Sequence, residues 1–184
     1  MKQNVEPFIE MIRDERFQDA LETLNADPFL ATSHAEEPGQ FHGVSPLHWA
    51  AHRNAVELCE RLIELGADVN DSAGNWWLTP LSWAADAGRV VTVELLLKHG
   101  ADVDQDAIAG TTALHAVAMG GSSQGSRDPA AYQRTAEILI AHGACLSGRS
   151  ERRQTPLDDA IEYENEYVAA VLRAHGAQPS SPAE

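Results

Sequence analysis

Residues Thr79 to Asp104 read TPLSWAADAGRVVTVELLLKHGADVD. Thr79 can cap a helix through its hydroxyl. Pro80 suits the first helical position, where a missing N–H costs nothing and φ is preset. Leu81, Ala84 and Ala85 put an apolar stripe on one helical face. Two of the three are alanine, so another helix can approach closely. Gly88 breaks this helix. Val93, Leu96 and Leu97 form the apolar face of a second one, and Gly100 supplies the left-handed residue that ends it. Lys98 and His99 stand in its last turn, where positive charge suits the helix dipole. Two helices this short cannot bury such faces alone, so the stretch predicts copies of itself beside it.

The copies are present. Ser45-Pro46-Leu47-His48-Trp49-Ala50-Ala51 matches Thr79-Pro80-Leu81-Ser82-Trp83-Ala84-Ala85, and Thr112 and Thr155 open two more. The proline position recurs at 46, 80, 113 and 156, in steps of 34, 33 and 43. From that position to the closing glycine the distance is 20, 20, 30 and 20 residues, so the third copy carries ten extra. The helix start of the TPLH kind, the VELLLKHGADVD second helix and the period near 33 residues resemble the ankyrin-repeat family over residues 42 to 177.

The resemblance implies an all-α ankyrin-repeat solenoid: about five helix-turn-helix repeats with short β-hairpin fingers. Residues 1–178 are expected to form one domain. Residues 5–41 read as a degenerate N-terminal capping repeat, with Phe8, Ile9 and Ile12 facing inward from one helix and Phe17, Leu21 and Leu24 from the next. Further repeats follow at 42–74, 75–107 and 108–150, the last with its insertion at 122–131. A C-terminal capping repeat covers 151–178, and a disordered tail 179–184. Asp128-Pro129, inside the insertion, can start a helix.

Composition narrows the function. Lys plus Arg is 13 and Asp plus Glu is 28, a net charge of −15. Such a surface repels phosphate backbones, which argues against nucleic acid, and favours a basic protein partner; the same charge also serves solubility. Two cysteines, Cys59 and Cys145, make no disulfide framework. No segment reads as a signal peptide or a membrane span, so the expected compartment is the cytoplasm, and the expected state alone a monomer.

Along the chain, Trp49 and Trp83 fill the same slot one repeat apart and read as a core stack. His48 and His115 occupy the family's histidine position, where the resemblance implies hydrogen bonding to neighbouring backbone. Asp158 takes that slot in the last copy. His99, His142 and His175 precede terminating glycines and read as helix C-caps. No metal or cofactor site follows from histidines so placed. Nor does the chain carry a GxSxG, P-loop or HExxH motif. Asp158 and Asp159 are adjacent on a helix and diverge by about 100°, so they make no acid/base pair.

By resemblance the chain is expected to be a non-catalytic protein–protein interaction module, working through a concave face and its fingers. The second finger departs most from the pattern, with Trp76 and Trp77 side by side in Asn75-Trp76-Trp77-Leu78. Adjacent residues of an extended segment face opposite sides, which puts at least one ring in solvent unless the finger folds back. Tryptophan is a favoured interface anchor. Phe41, in the first finger, is expected to pack on Trp49. The mapped contact residues are Trp76, Trp77, His52, Arg53, Asp86, Ile108, Met119, Arg152, Arg153, Glu162 and Tyr163. An inhibitor or immunity-type role, an assembly scaffold or chaperone-like adaptor, and an enzyme with an inter-repeat groove are the functional readings, in that order.

Overall fold

The computed structural model of the chain describes residues 5–35, 42–72, 78–105, 110–120 and 128–180. Among these residues there are ten α-helices and no strand. The helices are α1 (Glu6–Arg13), α2 (Phe17–Ala26), α3 (Pro46–His52), α4 (Val56–Glu64), α5 (Pro80–Asp86), α6 (Val90–Lys98), α7 (Ala113–Met119), α8 (Pro129–Ala141), α9 (Pro156–Glu162) and α10 (Glu166–Ala174). Odd helices pack on odd helices and even on even, while each odd helix also packs on the even one after it. The result is a two-layer, all-α repeat solenoid.

Local chemistry sets the helix ends as the sequence predicts. The Thr79 hydroxyl accepts from the Ser82 amide at 3.2 Å, with Pro80 at the first helical position. Gly88 and Gly100 take left-handed φ values of 64° and 89°. Asp128 caps α8 by accepting from the Ala130 amide at 3.1 Å. The rings of His142 and His175 bond the carbonyls of Ile138 and Val171, four residues back, at 2.9 and 3.0 Å. In the degenerate first copy, Phe8, Ile9, Ile12 and Leu24 are buried, and Phe17 and Leu21 partly so. Its exit is a 3-10 turn at Pro28–Thr32, capped by Asp27, that buries Leu30 and exposes Phe29.

The expected β-hairpin fingers are not seen as strands among the described residues, though single backbone bonds close two of those segments. Ala35 and Val44 pair by a 3.0 Å backbone bond, as do Ser150 and Gln154. Phe41, Trp76, Trp77, Ile108 and residues 122–127 of the insertion lie outside the described residues. Of the tail, residues 179 and 180 are described, and the Ser180 amide donates to Asp158 at 3.0 Å.

Side chains lock successive pairs on two edges. On the finger edge, the Asn70 amide group donates to the Gly100 carbonyl at 3.2 Å, while its Oδ1 accepts from the Asp102 amide at 2.8 Å. Asp104 accepts from the Cys145 amide in the same way. On the opposite edge, carbonyls left over at the ends of the odd helices are taken by the next pair. Arg89 donates to the His52 carbonyl at 2.9 Å, the Tyr132 hydroxyl to that of Asp86 at 3.0 Å, and Asn165 to Val117 and Ala118.

Candidate protein-interaction surface

The face formed by the odd helices is built from one slot repeated. The residue three positions after Pro46, Pro80, Ala113 and Pro156 is Trp49, Trp83, Ala116 and Asp159 in turn. One helical turn on, His52, Asp86, Met119 and Glu162 occupy the next row. Most of the layer is buried: of the seven residues of α3, only His52 is less than fully enclosed. The surface is therefore a narrow strip of row residues.

At its N-terminal end the strip is aromatic. The Trp49 and Trp83 rings meet edge-to-face, 5.1 Å between centroids. His52 lies 5.9 Å from Trp83 and 6.4 Å from Trp49. Arg13 of α1 sits over the Trp49 ring at 5.0 Å, in cation–π geometry. Trp49 is buried, as a core stack requires, whereas Trp83 is only partly so. Its slot neighbour on α7 is Ala116, too small to cover the ring. Burial, with Arg53 and Arg89 nearby, pushes the His52 imidazole down to about 4, so it is neutral at pH 7. Its Nδ1 is enclosed and has no hydrogen-bond partner among the described residues.

At the C-terminal end the strip is acidic and partly self-paired. Arg152 bonds Glu162 at 2.7 Å, and Gln154 bonds the other oxygen of the same carboxylate. Tyr163 also interacts with Arg152. Arg153 is exposed and adopts a left-handed φ of 59°. Asp159, one turn before Glu162, is buried; that burial raises its carboxyl to about 6 against the pull of Arg152, with Glu162 and Asp158 adding to the rise. Burial also raises Asp86.

Of the contact residues mapped from sequence, the fold thus brings His52 onto the tryptophan pair, and Arg152, Glu162 and Tyr163 into one cluster. Asp86 and Met119 stand between them, half-buried, and Arg53 borders His52 at the end of α3. The mapping overlooked Trp83 as a surface feature and Asp159 as a buried carboxylate beneath the strip.

The histidines of the TPLH slot are structural, as expected. His48 receives the Ser45 hydroxyl at Nδ1 and reaches the Leu78 carbonyl with Nε2, both at 2.8 Å. His115 repeats this with Thr112 and the Gln154 carbonyl. Asp158 replaces the imidazole with a carboxylate that accepts from Thr155 and Ser180. Cys59 is buried, and burial pushes its thiol up to about 12. Among the described residues no three or more His, Cys, Asp or Glu side chains are grouped to hold a metal, and no helix is long and apolar enough to cross a membrane.

An all-α solenoid whose helix pairs are locked edge to edge, with a strip of variable residues on one layer, defines a repeat protein built to present a surface. Residues 21–107 match the family model described as ankyrin repeats, in three copies. Over these residues the chain carries ankyrin repeats, which form a protein–protein interaction module. A stretch of 55 residues is 36% identical to the palmitoyltransferase akr1 of Aspergillus oryzae, covering 30% of this chain and 7% of that protein. The chain thus spans under a tenth of that relative, and the activity in its name is said of that protein.

Proposed function

We propose that the chain is a non-catalytic recognition protein that binds a basic protein partner across its odd-helix layer and fingers, as a stoichiometric inhibitor or immunity-type protein acting in the cytoplasm. Its five helix pairs are read as five repeats, the first and last serving as caps. The observation that carries the reading is the charge of −15 on a chain whose most atypical finger holds Trp76 and Trp77. The far end of that finger is fastened, since Leu78 accepts from His48. Fastening lowers the ordering cost of presenting an aromatic anchor.

The test is co-purification from the native source at 1:1, repeated with Trp76→Ala/Trp77→Ala and over a salt series. The expected result is loss of the partner in the double variant and weakening with salt. Retention of the partner by the double variant would remove the finger from the site, and salt-independent binding would remove the electrostatic part.

A further inference from the structure

The odd-helix layer holds two carboxylates that the chain leaves incomplete. Asp159 is only 3% exposed and Asp86 half-buried, and burial dominates the surroundings of both carboxyls, with no hydrogen bond among the described residues acting on either. The contrast with the other partly covered aspartates is sharp. Asp27 accepts from the Phe29 amide, Asp71 bonds the His34 ring, and Asp158 accepts from Thr155 and Ser180. Arg152, the cation that acts on Asp159, is already bonded to Glu162. A carboxylate taken out of water without a donor opposes folding. Both such groups lie on the layer read above as the binding face. Trp83 precedes Asp86 by three residues, so ring and carboxylate share one face of α5.

We propose that Asp86 and Asp159 are two anchors for arginine side chains carried by one extended basic segment of the partner, with Trp83 the stacking platform for the first guanidinium. The inference rests on the recognition role proposed above and deepens it by naming the partner's chemistry. Guanidinium fits better than ammonium: it is more weakly hydrated, bonds a carboxylate with a two-pronged fork and stacks on aromatic rings. The spacing is set by the fold. From α5 to α9 is two helix-to-helix steps, roughly 20 Å at about 10 Å each. An extended segment rises about 3.3 Å per residue, so the two arginines stand about six residues apart.

The test titrates the full chain by NMR with two octapeptides of equal composition, serine and alanine around two arginines. One carries arginine at its first and seventh residues, the other at its fourth and fifth. The spaced peptide is expected to bind roughly tenfold tighter, through simultaneous engagement of both anchors. The variant Asp86→Asn/Asp159→Asn abolishes that preference. Glu57→Gln/Glu60→Gln, which removes the same charge from the exposed side of α4, leaves it intact. The Asn variant deletes no hydrogen bond, and an unlowered melting temperature shows that it folds. Equal affinity for the two peptides, no binding of either at millimolar concentration, or an equal effect of the α4 variant each overturns the proposal. If the peptide preference is absent while Trp76→Ala/Trp77→Ala still releases the natural partner, the anchors fail and the recognition role stands. If the preference holds while that variant keeps its partner, the finger assignment fails and the anchors stand.

Discussion

The Nε2 of His48 donates to the carbonyl of Leu78, thirty residues further along the chain, while its Nδ1 accepts from Ser45. One imidazole thus caps its own helix and fastens the start of the next pair. Changing His48→Leu deletes both bonds inside a fully buried site and leaves the Leu78 carbonyl unsatisfied. The expected loss is about 2–3 kcal/mol, read as a lower urea midpoint at unchanged slope. A loss under about 0.5 kcal/mol would show that water or another donor replaces the ring.

Gly120 and Tyr132 form a second fastening. A Cβ at Gly120 would lie 2.7 Å from the Asp86 carbonyl oxygen and run into the Tyr132 ring. Gly120→Ala is expected to cost about 3 kcal/mol through overpacking, and Tyr132→Phe about 1 kcal/mol through the lost bond to Asp86. Thermal unfolding of the single and combined variants checks this. The combined cost falls below the sum if the two changes damage one contact, and equals it if they act apart.

His52 sets an acid limit. Its imidazole sits at about 4 in the fold, against an ordinary value of 6.5. The unfolded chain therefore takes up the proton first, and stability contributed by neutral His52 is lost as pH falls from 6.5 towards 4. The ring is partly solvated, so the contribution is on the order of 1 kcal/mol. His52→Gln should flatten that part of the stability–pH curve; an unchanged slope would place the acid sensitivity elsewhere.

Asp159 acts with the opposite sign. Its carboxyl is raised from 3.8 to about 6, so the folded state holds the proton longer and stability falls as pH rises from 4 to 6. Asp159→Asn removes this penalty. The variant should be more stable at pH 7 by roughly 1–2 kcal/mol after solvent screening, with the gain vanishing near pH 4. Denaturant titrations at the two pH values decide it, and a variant less stable at pH 7 would mean that the carboxylate has a stabilising partner.

Much of the fold could be read from the chain because its determinants are local. Thr79, Pro80, Gly88 and Gly100 act within a turn of where they stand, and their recurrence reports the period. The clasps on the far edge could not be read that way. Arg89, Tyr132 and Asn165 bond backbone carbonyls 37 to 48 residues earlier, and a carbonyl has no identity in a sequence. The partial exposure of Trp83 was hidden for a related reason. Slot membership says which layer a residue joins; how far it is covered depends on the neighbour's size, and Ala116 is small. The resemblance placed His48 and His115 correctly because their first partner is three residues away.

The slot histidine is missing from two copies, replaced by Ser82 and by Asp158. Ser82 stands where His48 and His115 stand, and its hydroxyl lies 3.2 Å from Thr79 in its own helix, too short to reach across to the following pair. The steps from α3 to α5 and from α7 to α9 thus carry an imidazole staple that the step from α5 to α7 lacks. The step from α5 to α7 is held instead by Asp104, which accepts from the Cys145 amide on one edge, and by Tyr132 on the other. Load passing along the solenoid therefore crosses that step through two clasps outside the slot rather than through a ring.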